Sequence, residues 1–329
     1  MNLENLTPAM KQYLQMKQQN PDCILLFRIG DFYEVFFEDA KICASVLDLI
    51  ITSKNKNSEN PIPMAGIPHH SIEKYIPRLI AKGYKVAIAE QMTDPVPWKI
   101  VERSIKSIIT PGTYIQENQR ELSTLLAITR SSEKSGTNYH LAWWDFTIGN
   151  YQTKTLSNLE QAQKLILSLR PTEIILDSDL TNKEEIIGPI QSYLNCLVSV
   201  YGVPFDPEHT ILTVCKVQQL ASFGKALTEW RASALALLFA YIQHTQQQVL
   251  KNVNTISYHA ADGLVLMDET TVKNLEIFSS SYENSSKYTL FEILNTTKTA
   301  WGARLLRDIL SNPTNNKTEL NWRLSHLER

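Results

Sequence analysis

The residues with the clearest chemical potential form a short hairpin near the N-terminus. Residues 27–37 have the sequence FRIGDFYEVFF, in which Gly30 and Asp31 are typical of a tight turn between two strands. Because side chains alternate along a strand, Phe32 and Glu34 share one face. An aromatic ring and a carboxylate therefore project together just after the turn. Aromatic-rich strands are more often core than ligand sites, so this pattern alone leaves both interpretations open.

A second set of candidates consists of acids in the middle of the chain. Asp145, Glu173 and Asp177 lie on or beside predicted strands. Carboxylates on neighbouring strand ends can hold two metal ions for phosphodiester cleavage, so a metal-dependent nuclease is an alternative function. The favoured interpretation is that they are ordinary strand-end acids, because the long helix predicted over residues 227–249 adds only Glu229.

Most motifs of catalysis and cofactor binding are missing from the sequence. Gly224 and Lys225 are followed by alanine, so no phosphate-binding loop of the G-x-x-x-x-G-K-[ST] type is present. The only histidine pair, His69-His70, is adjacent and does not have the spacing of a zinc site. The four cysteines include no C-x-x-C pair and are interpreted as reduced thiols. The sequence therefore predicts no catalytic residue, no metal and no cofactor in this chain.

Composition narrows the class of protein further. The chain has 329 residues, of which 43% are hydrophobic and 20% charged, as in soluble globular proteins. It contains no apolar run long enough to span a membrane, and its polar N-terminus lacks a secretory signal, which predicts a cytoplasmic protein. The net charge of −2 gives no general sign of a nucleic-acid partner, so such a partner must be inferred from local residues.

The elements that must position these residues alternate between strands and helices. This alternation predicts two α/β domains followed by a helical region, with boundaries at residues 1–118, 119–250 and 251–329. The predicted strands cover residues 23–29, 32–37, 84–89, 104–109, 124–130, 139–146, 173–176 and 210–214. The predicted helices cover residues 5–20, 38–49, 71–82, 158–169, 227–249, 268–278, 299–310 and 319–328. Polar loops are predicted over residues 54–63 and 131–138.

The hairpin also carries a family resemblance. The stretch Gly30-Asp31-Phe32-Tyr33-Glu34 strongly resembles the mismatch-recognition motif of the bacterial MutS family of DNA mismatch repair proteins. Further matching stretches, in family order, are Thr7-Pro8 with Gln12-Tyr13 and Lys17, residues 61–70 (PIPMAGIPHH), 86–91 (VAIAEQ), 109–113 (ITPGT), 266–275 (LMDETTVKNL) and 299–306 (TAWGARLL). The resemblance therefore runs through almost the whole chain.

The resemblance implies a fold for each predicted domain. Residues 1–118 are expected to form the mixed-sheet α/β mismatch-recognition domain, and residues 119–250 a connector domain with a ribonuclease-H-like α/β fold. Residues 251–329 would begin an all-α core domain. The family's clamp and C-terminal ATPase domain, with its Walker motif, have no counterpart in this sequence. The chain is therefore interpreted as a naturally short MutS-like protein or as a fragment, and not as an enzyme in its own right.

The resemblance also implies a site. Phe32 would insert at a mispair in the minor groove of mismatched or looped duplex DNA, and Glu34 would form a hydrogen bond with the displaced base. Candidates for contacts with the DNA backbone or groove are Lys54, Lys56, Met64, Lys99 and Arg103. At the position of Lys54 the family often has arginine, so charge is kept while the bidentate fork is lost.

Partners and cofactors follow from the same resemblance. The expected partners are mismatched double-stranded DNA and, through the connector domain, a MutL-like repair protein. ATP and magnesium belong to the full-length family, which is homodimeric, whereas this chain is expected to be monomeric. The expected location is the bacterial cytoplasm, in association with the nucleoid. The alternatives left open are the nuclease and a degenerate MutS fragment that serves only as an interaction module.

Overall fold

The computed structural model divides the chain into two compact units. One contains residues 1–114 together with 242–248, and the other contains residues 115–241 and 249–329. The residues described are 7–54, 61–93, 101–114, 124–133, 136–145, 150–180, 183–191, 194, 196–220, 232–246, 256–258, 265, 267, 269–278, 280, 287–311 and 313–327. None of the helices in these ranges combines the length and hydropathy that a membrane span requires.

The first unit is built on a six-stranded mixed sheet. Its strands are β1 (Cys23–Ile29), β2 (Phe32–Phe36), β3 (Thr52–Lys54), β4 (Ile62–Pro68), β5 (Lys85–Gln91) and β6 (Arg103–Ile109). Their order is β3-β4-β2-β1-β5-β6, in which β1 and β5 are parallel and the other pairs are antiparallel. The helices are α1 (Pro8–Gln19), α2 (Phe37–Leu47) and α3 (Ile72–Ala81), and a 3-10 turn (His69–Ser71) precedes α3.

Alternation along the strands gives this sheet two apolar faces. On one face, residues of β2 such as Tyr33 and Val35 pack with the buried sides of α2 and α3. On the other face, Phe27 and Phe36 pack with Met10 and Tyr13 of α1. Thr7 caps α1 by accepting a hydrogen bond from the Met10 backbone N–H at 3.4 Å.

The second unit contains another six-stranded mixed sheet. Its strands are β7 (Thr124–Glu133), β8 (Gly136–Asp145), β9 (Asn150–Leu156), β10 (Glu173–Asp177), β11 (Leu197–Tyr201) and β12 (Ile256–Tyr258), in the order β11-β10-β7-β8-β9-β12. Strands β7, β8 and β9 form an antiparallel meander, to which β10, β11 and β12 add as parallel neighbours. The helices of this part are α4 (Leu159–Leu169), α5 (Lys183–Gln191) and α6 (Pro207–Cys215).

The remaining described elements are helical. They are α7 (Ser233–Gln246), α8 (Glu269–Asn274), α9 (Leu290–Leu294), α10 (Ala300–Ser311) and α11 (Lys317–Leu327). The predicted fold class is thus confirmed: two mixed α/β sheets are followed by helices. Strand β12 nevertheless lies in the range that the sequence assigned to a helical core, and it pairs with β9 over three residues. A three-residue strand is too short for its side-chain period to be recognised.

Several local predictions were wrong or incomplete. The strand predicted over residues 210–214 is part of helix α6, which begins after the N-cap Asp206 with Pro207 in its first turn. The loop predicted over residues 131–138 is occupied by the paired ends of β7 and β8 as far as Glu133 and Gly136. The sequence also did not predict strands β3, β4, β9 and β11 or helices α5 and α9, and the loop predicted over residues 54–63 overlaps the end of β3 and the start of β4.

Candidate nucleic-acid interface

The candidate site lies at the hairpin between β1 and β2. Ile29 pairs with Phe32, so Gly30 and Asp31 form the two-residue turn. Gly30 has a φ of +57°, a conformation that glycine adopts without the clash of a Cβ atom. Phe32 is the first residue of β2 and remains 48% exposed. The turn therefore holds a large apolar ring at the surface instead of in the core.

The exposed ring lies against a strand position that has no side chain. Strand β4 flanks β2, with Pro68 opposite Phe32 and Gly66 opposite Glu34. A Cβ atom on Gly66 would lie 3.7 Å from the ring of Phe32, which is ordinary contact distance. A small side chain at this position would therefore fit beside the ring, and the contact does not itself require a glycine.

Glu34 follows Phe32 on the same face, and one of its oxygens has no hydrogen bond. Its side chain is 19% exposed, and its Oε2 lies 3.6 Å from the ammonium group of Lys54. Among the residues that the structure describes, none donates a hydrogen bond to this buried Oε2. A buried acceptor without a donor costs free energy. Glu34 is therefore arranged to accept a hydrogen bond from outside the described chain.

Two cations flank this carboxylate, and each lies over an aromatic ring of the same face. The Lys54 ammonium group is 5.1 Å from the centre of the Phe36 ring, and the Arg103 guanidinium is 5.0 Å from the centre of the Phe27 ring. Phe27 is the direct cross-strand neighbour of Glu34. Both cations thus pack their apolar stems near the site and keep positive charge beside Glu34.

The turn itself is held from two sides. The Asp31 carbonyl oxygen accepts a hydrogen bond of 2.9 Å from the backbone N–H of His69, whose ring Nδ1 lies 3.2 Å from the same oxygen. The Nε of Arg28 donates to the Gly30 carbonyl, and its guanidinium lies 5.5 Å from the centre of the Tyr33 ring. The sequence analysis did not identify Arg28 or His69 as site residues. These contacts fix the backbone that carries Phe32.

Tyr33 anchors the opposite face of the hairpin. Its hydroxyl donates a hydrogen bond to the carboxylate of Glu90 on β5. Burial and this neighbouring carboxylate raise the pKa of Tyr33 to about 12, so the phenol stays a neutral donor. Strand β2 is therefore tied to the sheet through Tyr33, while Phe32 and Glu34 face the other way.

The other predicted contact residues have different outcomes. Met64 is half-buried beside Phe36, its neighbour across the strands, and packs against the core on the side of α1. Lys54 and Arg103 lie on the same face as Glu34. Lys56 and Lys99 lie outside the described residues. The structure therefore brings together Phe32, Glu34 and the side chains beside them.

The acids of the second unit do not form a comparable site. Glu173 is fully buried, and its Oε1 accepts hydrogen bonds of 2.5 Å from the hydroxyls of Ser199 and Tyr241. Asp177 lies four residues further along β10, which at about 3.3 Å per residue is too far for a shared metal ion. The side chain of Asp145 lies outside the described ones. In the described part of the chain, no three His, Cys, Asp or Glu are placed to hold a metal. The nuclease alternative has no support.

Fold and site together define a class of protein. The class is an α/β protein of several domains, in which the N-terminal sheet presents an exposed aromatic residue beside an acid. Three family models match the chain in order: MutS domain I over residues 7–118, MutS domain II over residues 123–254 and MutS domain III over residues 270–329. The chain belongs to the MutS family.

Individual relatives agree with this assignment. The chain is 37% identical over 313 residues to the DNA mismatch repair protein MutS of Lactococcus lactis subsp. cremoris, covering 94% of this chain and 35% of that protein. It is 34% identical over 314 residues to DNA mismatch repair protein MutS of Streptococcus mutans, covering 95% of this chain and 35% of the relative. The DNA mismatch repair protein HexA of Streptococcus pneumoniae is 35% identical over 322 residues, which is 97% of this chain and 36% of HexA. The chain thus spans about a third of the length of these relatives.

Proposed function

We propose that this chain binds mispaired or looped duplex DNA in DNA mismatch repair, with Phe32 inserted at the mispair from the minor groove. The observation that carries the proposal is that a half-exposed Phe32 lies on one face of a fixed hairpin with a buried oxygen of Glu34, which has an ion-pair partner in Lys54 but no hydrogen bond. The names of the relatives, which are DNA mismatch repair proteins, support it.

The physics of a wedge suits the recognition of mispairs. An apolar side chain that enters between base steps partly unstacks them and kinks the duplex, at a cost of a few kcal/mol. A mispaired step is weakly paired and deforms more easily, so the cost is lower there. Discrimination then depends on deformability and not on one pattern of donors and acceptors. Phe32 suits this task because the turn presents its ring while the rest of the hairpin stays fixed.

Glu34 is proposed to affect the binding of paired DNA and of mispaired DNA in opposite directions. A carboxylate close to DNA phosphates is repelled, which disfavours binding to any paired duplex. Where a displaced base offers an N–H group, the Oε2 atom accepts a hydrogen bond from it, and a buried acceptor that had no hydrogen bond becomes satisfied. The same residue therefore weakens binding to paired DNA and strengthens binding at a mispair.

Positively charged residues are proposed to supply affinity without specificity. Lys54, Lys56 and Lys99 are candidates for phosphate contacts, which position a duplex but do not read its sequence. Lys54 has a second role, because its ammonium group also neutralises part of the Glu34 charge at 3.6 Å. Met64, which is half-buried beside Phe36, is proposed to contact the groove with the part of its side chain that stays exposed. Arg103 is treated separately below.

Three further proposals concern the context of this activity. We propose that the second unit contacts a MutL-like repair partner and that the chain is a cytoplasmic, nucleoid-associated monomer. ATP and magnesium are proposed to act on the longer proteins of the family, because this sequence contains no phosphate-binding loop. A chain that served only as an interaction module would bind the partner without preferring mispaired DNA.

The proposal is tested by the ratio of affinities for mismatched and matched duplexes at fixed low salt. The complete chain should bind a duplex with one mispair or one extra base more tightly than its matched counterpart. Phe32→Ala should lower this ratio to about one and leave the weak, salt-dependent binding to phosphates. The control is Phe205→Ala, which removes a fully exposed phenylalanine from the second unit. A ratio that stays above one in Phe32→Ala would contradict the proposal.

A further inference from the structure

Arg103 is anchored to the protein at two points. Its Nε donates a hydrogen bond of 2.7 Å to the Arg28 carbonyl oxygen, and its Nη1 donates one of 3.0 Å to the Val101 carbonyl oxygen. The guanidinium carbon also lies 5.0 Å from the centre of the Phe27 ring. Two of the three guanidinium nitrogens are thus engaged within the chain. A phosphate ligand usually receives the free, two-pronged fork of an arginine, which is not fully available here.

The end of a strand pairing explains why Arg103 reaches this position. The parallel pairing of β1 with β5 ends at Phe27 and Ala89, so the next carbonyl of β1, that of Arg28, extends beyond the pairing. Arg103 begins β6, on the far side of β5. Arg103 is opposite Gln91 of β5, and its side chain reaches from there to the Arg28 carbonyl oxygen and the Phe27 ring of β1. Arg103 therefore joins β6 to the exposed end of β1.

The same placement brings the guanidinium to Glu34. Phe27, whose ring Arg103 covers, is directly opposite Glu34 in the pairing of β1 with β2, and both side chains point to one face. Burial lowers the pKa of Arg103, and the nearby charge of Glu34 acts in the opposite direction. The positive charge of Arg103, which lies over the Phe27 ring, thus interacts with the negative charge of Glu34, which is opposite Phe27 in the strand pairing. Lys54 approaches Glu34 as well, at 3.6 Å from its Oε2.

We infer that Arg103 is a positioning residue, which holds the Glu34 carboxylate so that its Oε2, which has no hydrogen bond within the described chain, meets a displaced base, instead of a residue that binds a DNA phosphate. This inference rests on the proposed function. It adds Arg103 to the residues that determine the preference for mispaired over matched DNA. The fork of the guanidinium, fixed by two carbonyls, supplies a positive charge of defined position. A lysine at the same place would keep the charge but could not keep both hydrogen bonds and the stacking on Phe27.

The charge-conserving variant Arg103→Lys separates the two roles. If Arg103 positions Glu34, this variant should lower the ratio of mismatched to matched affinity by about three- to tenfold, the factor that one hydrogen bond contributes. Its affinity for matched DNA should stay within about twofold of the parent chain, because the charge is unchanged. If Arg103 instead binds a phosphate, lysine replaces it and the ratio stays constant. Arg103→Gln, measured over a salt series, should then reduce the salt slope by about one.

A double-mutant cycle shows whether the effect passes through Glu34. In the Glu34→Ala background, Arg103→Lys should leave the ratio unchanged, because no carboxylate remains to be positioned. If Arg103 only stabilised the fold, each Arg103 variant would have a lower melting temperature. The ratio of mismatched to matched affinity would then change equally in the parent and in the Glu34→Ala background. Circular dichroism establishes that each variant is folded. Should Arg103→Lys not fold, Arg103→Gln takes its place in the same cycle.

The outcomes distinguish this inference from the proposed function. If the parent chain shows no preference for mispaired DNA, the proposed function fails and the inference fails with it. If the parent chain discriminates and Arg103→Lys discriminates equally well, only the inference is overturned. A reduced salt slope in Arg103→Gln, with an unchanged ratio, would assign Arg103 to a phosphate.

Discussion

At the scale of single residues, the exposure of Phe32 and the buried Oε2 atom of Glu34 are the features that need explanation. Phe32 exposes nearly half of its surface, although most side chains of the preceding strand β1 are buried. Glu34 keeps a buried oxygen without a donor from the described chain. Neither arrangement lowers the free energy of the free protein. Both become favourable when a base step replaces water around the ring and an N–H group meets the oxygen.

Glu34→Ala should therefore affect DNA binding in a different way from Phe32→Ala. Removal of the carboxylate removes repulsion by phosphates, so affinity for matched DNA should rise, by on the order of tenfold at low salt. The mismatch preference should narrow because the hydrogen bond to the displaced base is also lost. Titration of both duplexes with the two variants measures this. A fall in matched affinity for Glu34→Ala would mean that Glu34 does not oppose paired DNA.

The cysteines give a residue-scale prediction with a defined pH dependence. Burial raises the pKa of Cys23, Cys43 and Cys215 to about 12 and that of Cys196 to about 11. Their thiols should react slowly with a disulfide reagent at pH 8 and quickly in urea, because the thiolate is the reactive form. Since these values exceed the unfolded thiol pKa of about 8.5, stability should fall as the pH rises above it. Rapid labelling of four thiols in the folded chain would contradict this.

At the scale of elements, one buried ion pair joins α1 to the sheet and to α2. Asp39 of α2 is 4% exposed, and its carboxylate receives Lys17 of α1 at 2.8 Å. Its other oxygen accepts hydrogen bonds from the Tyr13 hydroxyl at 3.2 Å and from the Leu25 backbone N–H at 3.0 Å. Burial and the charge of Asp39 raise the pKa of Tyr13 above its ordinary range. Helix α1 is thereby held against the face that carries Phe32.

Lys17→Met should destabilise the first unit by about 2 kcal/mol. The change leaves the Asp39 carboxylate buried without its cation, and the cost lies below that of a fully buried pair because Lys17 is 27% exposed. Lys11→Met, at an exposed position of the same helix, is the control and should change stability by less than about 0.5 kcal/mol. Urea unfolding followed by circular dichroism measures both variants. Equal effects of the two would show that the ion pair is unimportant.

The elements also show how far local sequence signals extend. The hairpin of β1 and β2 was predictable because Gly30 and Asp31 interrupt two strands with recognisable side-chain patterns. Strand β4 was not predicted, because Pro63 and Pro68 both argue against a strand, yet it pairs with β2 over five positions. Helix α6 was predicted as a strand because its β-branched residues outweighed the N-cap signal of Asp206 and Pro207.

In the candidate site, too, local sequence predicts some residues and not others. Phe32 and Glu34 could be identified because they are neighbours in sequence. Arg103 was identified only as a candidate for a contact with DNA, and its position near Glu34 could not be predicted. Phe27 and Gly66 were not identified, because they are neighbours of Glu34 only through the pairings of β2 with β1 and β4. Pairing registers of this kind depend on the whole sheet and have no local signature.

At the scale of the whole molecule, the chain carries three MutS domain matches but no phosphate-binding loop. We therefore predict that the 329-residue chain does not hydrolyse ATP, with or without mismatched DNA. The measurement is phosphate release by homogeneous protein, and a longer MutS relative serves as the positive control. Turnover that follows the protein through purification would contradict the prediction and would point to an unrecognised nucleotide site.

The central claim is that Phe32 itself enters the duplex at the mispair, and base unstacking reports this most directly. A 2-aminopurine placed beside a single mispair becomes more fluorescent when it is unstacked. Saturating amounts of the chain should increase its fluorescence, whereas Phe32→Ala at concentrations that saturate the same duplex should not, because no wedge displaces the step. Phe205→Ala should behave like the parent chain. An equal increase with Phe32→Ala and with the parent chain would contradict the claim.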